Sequence, residues 1–264
     1  MVDVEGARSL SVVGVVVASA VDGTGMPTAL APRPYLHPVR TLGGTVVSAH
    51  RPPDHAWHCG VGVAIPDLDG VNCWGGPTYV HGAGYVHRDD HGRVDVRRTR
   101  RDGPGLVHDL VWRGPEGAEL LLEERRLGWR GVADGWELTW TSAFRCPGDV
   151  EVRLGSPGSN GRAGAGYGGF TWRFPACSAV RVRTEHASGE AATHGSLAPW
   201  IEWRAAFPGG DAVVRIEALD HDDPWFVRVA EYPALGSALA WDEPVRVRPG
   251  SPLVRSFRAT VRDA

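Results

Sequence analysis

The sequence predicts an all-β protein, one large antiparallel β-sandwich, and three observations carry that prediction. Apolar and polar residues alternate with a period of two in segment after segment. The segments are short and bounded by Gly, Pro and Asp, and stretches with a helical period are nearly absent.

Taken in order, the apolar run from Leu10 to Ala18 reads as a first strand. Its end, Ala18-Ser19-Ala20, has the small-residue pattern of a leader-peptide cleavage site. Asp3 and Glu5 outnumber Arg8 ahead of it, however, and the run is rich in Val, so a retained strand and a cytoplasmic protein are expected. Gly117 to Trp129 fits a helix or, over Leu120 to Leu127, a strand with charged flanks. Trp136 to Phe144 sets Trp136, Leu138 and Trp140 on one face. Val150 to Leu154, Ala212 to Ala218 and Leu253 to Val261 alternate in the same way. Asp69-Gly70, Pro208-Gly209-Gly210 and Arg248-Pro249-Gly250 supply turns. The stretch from Gly155 to Gly169 is the longest irregular segment. No fixed-period repeat and no linker divides the chain, so residues 1–264 are expected to form one domain.

Composition removes whole classes of function. All 28 Lys-or-Arg positions are Arg, which excludes Schiff-base and P-loop lysines, and Gln is absent as well. A net charge of −3 argues against nucleic acid as a partner. No segment approaches the roughly 18 apolar residues of a membrane span. Cys59, Cys73, Cys146 and Cys177 form no C-x-x-C pair, so free thiols in a reducing compartment are expected.

Eight of the 11 His lie between His37 and His108, densest from His50 to His58. Clustered imidazoles serve proton transfer, metal binding or loop hydrogen bonding. In the metal reading His50, His55 and His58 surround one ion, or His87-x-Asp89 joins a distant His. That is the minority reading; no cofactor is expected. In the acid–base reading Asp54 orients His55 or His58, His37 joins them, and Arg33 and Arg40 steady oxyanion charge. The bland alternative makes Asp54 a turn cap and His55 a partner for Trp57. The Gly-rich loop offers Asn160, Arg162 and Tyr167, with Arg173 just downstream. It contains G-x-G-x-x-G, but with no βαβ unit around it a dinucleotide site is not expected; close approach of backbone to ligand is. The bland alternative is a bulged hairpin. Trp57, Trp74, Trp172, Trp200, Trp203 and Trp225 carry polar neighbours, as in a sugar cleft, although most Trp residues are core.

Arg33-Pro-Tyr35-Leu-His37-Pro-Val-Arg40, Asp54-His55-x-x-His58, Asn72-x-Trp74-Gly-Gly76, Asp90-His91-Gly-Arg93, the Arg162 to Phe170 loop and Pro224-Trp225-Phe226-Val227-Arg228 together resemble a bacterial family labelled "methane oxygenase PmoA". The resemblance runs from about residue 30 onward. It implies a β-sandwich of sugar catabolism rather than a membrane oxygenase subunit, because nothing here spans a bilayer. The family is similar in turn to the galactose mutarotase-like supersandwich, where a His and a carboxylate act on sugars; Asp54, Glu202 and Glu231 are the candidates for that carboxylate. The expected function is therefore cofactor-free acid–base chemistry (epimerisation, β-elimination or hydrolysis) on a small-molecule carbohydrate. His55, His58, Asp54, His37 and Arg40 are its expected catalytic residues. Arg33, Tyr35, Trp74, Asn160, Arg162, Tyr167 and Arg173 are expected to bind substrate.

Overall fold

A computed structural model describes residues 8–264; Asp3 and Glu5, on which the leader-peptide argument turns, lie outside them. The strands in chain order are β1 (Arg8–Val12), β2 (Val15–Val21), β3 (Tyr35–Val39), β4 (Val61–Leu68), β5 (Val71–Cys73), β6 (Thr78–Val80) and β7 (Gly84–Val86). Then come β8 (Arg93–Asp102), β9 (Gly105–Arg113), β10 (Glu119–Val132), β11 (Gly135–Arg145), β12 (Val152–Gly155), β13 (Gly169–Arg173) and β14 (Ser178–Arg183). After one helical turn, α1 (Glu190–Thr193), follow β15 (Trp200–Phe207), β16 (Gly210–Ala218), β17 (Trp225–Arg228), β18 (Ala234–Ala238), β19 (Val245–Val247) and β20 (Leu253–Asp263).

Two sheets account for all but the β6–β7 hairpin. One has the spatial order β1-β2-β3-β4-β13-β18-β17, with β5 and β12 also pairing β4 and β19 pairing β12; the other runs β14-β15-β16-β20-β11-β10-β9-β8. Their strand pairings are antiparallel, β4 with β13 and β11 with β20 among them, and the all-β sandwich is thus the fold. The inner faces interlock through aromatic rings. Phe170 of β13 stacks on Phe257 of β20 at 4.5 Å and meets Trp140 of β11 at 5.5 Å, while Phe174 stacks on Trp203 at 4.6 Å. Six Trp side chains, including Trp172, Trp203 and Trp225, are fully buried. Each removes roughly 150–250 Å² from water, so these three are core and not cleft.

The segment expected to be a first strand is a hairpin. Val13 and Gly14 turn it at positive φ, the type I′ geometry that matches strand twist, and Val12 faces Val15. The ambiguous segment is β10, and its physical basis explains the ambiguity. Leu121, Glu123, Arg125 and Leu127 are the buried positions, so two charged residues occupy the inward face and hide the apolar period of two. Glu123 Oε1 accepts from Arg125 Nε at 2.7 Å and from the Ser142 hydroxyl at 2.7 Å, while Oε2 accepts from Arg125 Nη2 at 2.9 Å and Trp112 Nε1 at 3.0 Å. Arg125 Nη1 donates to the Pro34 carbonyl, so each nitrogen of the guanidinium and each oxygen of the carboxylate has a hydrogen-bond partner. No described helix is long and apolar enough to cross a membrane. The four cysteines are free thiols, Cys59 and Cys73 buried and the other two half-buried.

Candidate functional site

The loop joining β3 to β4 folds back on the end of β13. Ala49 N–H donates to the Arg173 carbonyl, Gly60 N–H to Ala49, and Arg51 N–H to His58, while His55 and His58 N–H close successive turns onto Pro52 and His55. These turns set the two imidazoles in a stack with centroids 4.8 Å apart and planes 18° from parallel. Tyr232 covers both, at 4.5 Å from His55 and 5.5 Å from His58. Trp74 meets His58 edge-on at 5.5 Å and Tyr167 at 4.8 Å, and Tyr167 packs on Phe226 at 5.7 Å. The result is an open cleft of about 280 Å³ walled by aromatic rings, with Arg162, Arg228 and Glu231 at its edge.

One carboxylate organises the imidazoles. Asp54 Oδ2 accepts from His55 Nδ1 at 2.9 Å and from Arg173 Nη2 at 2.6 Å. Burial pushes the Asp54 carboxyl up, but the hydrogen bonds from His55 and Arg173 outweigh it and hold the group below its ordinary value. His58 is driven well below the usual imidazole range, first by burial and then by His55, Arg173 and Arg33, so it is neutral at pH 7. Burial, aided by Tyr85, raises the Tyr167 phenol well above its ordinary value, so it remains a hydrogen-bond donor. Tyr85 links that phenol at 3.1 Å to Arg162, whose Nη1 donates to the Tyr85 oxygen at 2.7 Å.

A second pocket, of about 30 Å³, adjoins the cleft. It shares His58, Trp74, Tyr167, Phe226 and Tyr232 with the cleft and adds Arg33, Arg173 and Ser237. Arg33 is 5% exposed and donates to four carbonyls, those of Leu30, Ala31 and Trp74 through Nη1 and of Trp57 through Nη2. It therefore pins the two tryptophan-bearing loops that wall the cleft. Arg173 Nε and Nη1, His58 Nδ1 and Ser237 Oγ are buried without a partner.

The structure brings together His55, His58, Asp54, Trp74, Arg162, Tyr167, Arg33 and Arg173, although the two loops lie a hundred residues apart in sequence. Four expected residues sit elsewhere. His37 bonds Ser48 and stacks on His50 at 5.3 Å. Arg40 turns toward the Gly44 carbonyl. Tyr35 bonds His50 and lines a different groove of about 390 Å³ with Thr99, His108 and Arg125. Asn160 is tied to Asp67 and Arg153 beside the cleft. The pleat sets Tyr35 and His37 on one face of β3, where both rings stack on His50 instead of joining the His55–His58 pair. Glu202 also leaves the candidate carboxylates, since it lies in the other sheet paired with Arg183. The Gly-rich loop brings its backbone close to the Trp241 segment. A Cβ on Gly158 would stand 2.0 Å from the Trp241 carbonyl oxygen, and one on Gly166 2.6 Å from Trp241 Cα. Trp200 lies between the guanidinium groups of Arg183 and Arg215.

His50 pairs with Tyr35, away from the His55–His58 stack, and His87 is exposed. Among the described residues no three His, Cys, Asp or Glu side chains form a metal-ligating group. Sequence reasoning missed Tyr232, the ring that caps both imidazoles. The Glu231-Tyr232-Pro233 segment had a signal, an aromatic beside proline in a loop between short strands.

A search of curated proteins found no match. Among solved structures, the chain is similar to a candidate aldose 1-epimerase from Escherichia coli K12, at 12% identity and a TM-score of 0.46 over 98% of this chain and 99% of that one. It is also similar to the protein HI1317, at 8% identity and a TM-score of 0.34 over 93% and 92% of the two chains. A sequence family described as a family of unknown function, DUF6807, matches residues 7–264, and the chain belongs to it.

Proposed function

We propose that this protein is a carbohydrate-active enzyme of the cytoplasm that performs acid–base chemistry on a small sugar or keto-glycoside without a cofactor. The observation that carries the reading is the Asp54–His55 pair at the wall of an aromatic cleft. Aromatic faces cover the apolar face of a sugar ring, and polar side chains at the edge take its hydroxyls. Within the pair, Asp54 accepts the Nδ1–H and thereby fixes the tautomer, leaving the Nε2 lone pair of His55 as a base. A proton taken by Nε2 from a carbon beside a carbonyl, or from water, generates an imidazolium that Asp54 stabilises. Returning that proton to the opposite face of the carbon is epimerisation. Passing it to a leaving oxygen is elimination or hydrolysis. His58 stays neutral beside it, and the Tyr167 phenol and Arg162 serve as donors to substrate oxygens. The resemblance to the PmoA-labelled family supports this reading through its expected place in sugar catabolism.

The test is one panel of wild type, His55→Ala, His58→Ala and chelator-treated protein assayed on aldoses and keto-glycosides. The reading expects turnover that falls about 10²–10⁴-fold in either variant with the fold intact, and no effect of chelator. Activity lost to chelator and restored by divalent metal would establish a metalloenzyme on the same residues. Sugar binding with no turnover of any substrate would establish a binding module.

A further inference from the structure

The cleft has a neighbour that the proposed chemistry does not use. Trp74, Pro77 and Tyr167 form a ridge with the cleft on one side and, on the other, an open hollow of about 310 Å³. The β6–β7 hairpin spans both. Tyr79 and Tyr85 are cross-strand partners on one face of it, their rings 5.6 Å apart. Tyr85 lines the cleft and Tyr79 the hollow. The hairpin belongs to neither large sheet and places no side chain in the core. It is nonetheless fastened to the Gly-rich loop. Tyr85 bonds Tyr167 and Arg162, and His81 donates through Nδ1 to the Asn160 carbonyl at 3.2 Å. Gly161 permits that approach, because a Cβ there would stand 2.4 Å from His81 Nδ1, and its φ is +97°. A hairpin outside the core, held this closely, shapes a surface and not the fold.

The polar groups around the hollow both donate and accept. A neutral His81 that donates from Nδ1 presents Nε2 as an acceptor. Arg88 has one carboxylate contact, from Nε to Asp90 at 3.5 Å, which leaves its Nη groups to donate, and Tyr79 carries a hydroxyl. Sugar hydroxyls satisfy donors and acceptors at once. An anion would leave the His81 acceptor unpaired, and a plain aromatic ring would leave all three groups so. We infer that the substrate is a glycoside of two sugar rings, one in the cleft beside His55 and the second in the hollow against Trp74 and Tyr79, bonded by His81 and Arg88. This inference rests on the carbohydrate reading of the cleft and names the substrate class. Both sites are open to solvent, so the two rings enter from outside and the linkage between them crosses the ridge.

Calorimetric titration of wild type, Tyr79→Ala and Arg88→Ala tests it, with glucose, galactose, maltose, cellobiose, lactose and 4-nitrophenyl glucoside. Stacking on an aromatic ring together with new hydrogen bonds corresponds to about tenfold or more in affinity. At least one disaccharide therefore binds tenfold or more tighter than either monosaccharide. In both variants the ratio of disaccharide to monosaccharide affinity falls toward one. Arg88 is half-exposed and Tyr79 lies outside the core, so thermal melts of the variants stay close to that of wild type. Disaccharides bound no tighter than monosaccharides, or a preference that both variants keep, would overturn the inference and leave the carbohydrate reading standing. So would 4-nitrophenyl glucoside binding more tightly than every disaccharide, which would make the second group an aromatic one. No binding of any probe would overturn both readings.

Discussion

His55 and His58 lie face to face at 4.8 Å, yet only His55 has a carboxylate on its Nδ1. Two imidazolium ions at that distance repel each other. Burial first, with His55, Arg173 and Arg33 adding to it, keeps His58 neutral, while Asp54 fixes the tautomer of His55 through its Nδ1.

Asp54→Asn is expected to reduce turnover by about 10²-fold or more with little change in KM. The amide can present its NH₂ to His55 Nδ1 and so stabilise the wrong tautomer, and it supports no imidazolium. The variant also removes the counter-charge of Arg173, which is buried, so a fall of about 1–3 kcal/mol in unfolding free energy accompanies the loss of activity. Steady-state kinetics and urea unfolding of the same sample check both; an unchanged kcat would contradict the role given to Asp54.

Arg125→Met is expected to destabilise strongly, by about 3–5 kcal/mol, because it leaves Glu123 charged and buried with two neutral donors. Replacing both residues, Glu123→Leu with Arg125→Met, is expected to recover much of the loss. Denaturant midpoints of the single and double variants measure this. Additive losses would show that the pair is not a unit.

Stability is expected to fall as pH drops from about 6.5 to about 4. Burial lowers His37 to about 4, with His50 and Arg40 adding to the effect. It lowers His108 to about 4 as well, with Arg125 adding there. The unfolded chain takes up protons at these residues from pH 6.5 downward, and the folded chain does not until about 4. Their contribution is therefore complete above 6.5 and lost across that interval. Urea midpoints at pH 7 and pH 5 are expected to differ less in His108→Asn than in wild type; an identical difference would refute the assignment.

Gly76→Ala is expected to weaken sugar binding more than it weakens the fold. A Cβ there would stand 2.5 Å from Trp57 Cδ2, and the residue has φ +68°, where an alanine is strained. The indole that walls the cleft must move. Ligand titration with a thermal melt compares the two effects; a loss of stability with unchanged affinity would show that Trp57 does not contact ligand.

The strands were legible wherever inward positions are apolar, as from Trp136 to Phe144, because a sandwich imposes the period of two directly on such segments. They were illegible in β10, where Glu123 and Arg125 face inward as a satisfied ion pair that no pattern of hydrophobicity reveals. At the site, His55, His58 and Asp54 stood out because they share one short loop. Tyr232 did not, since it comes alone from the distant turn between β17 and β18, and only the pairing of β13 with β18 carries it to the loop. His37 and Arg40 misled for the converse reason. They are close to the cluster in sequence, but β3 turns them away from it.

The place of β20 in its sheet has a kinetic consequence. It pairs with β16 on one side and β11 on the other, joining residues 178–218 to residues 93–145. Until residues 253–263 are synthesised, β11 and β16 are both bare edges with unpaired N–H and C=O groups, each a template for the wrong partner. The consecutive hairpins from β8 to β11 can form stepwise, but closure of the sheet depends on contacts more than a hundred residues apart, as in Phe144 with Leu253, which slows it. The nascent chain is at greatest risk of aggregation in that interval, and a segment that shields two half-sheets at once, such as a chaperone's apolar groove, would shorten it.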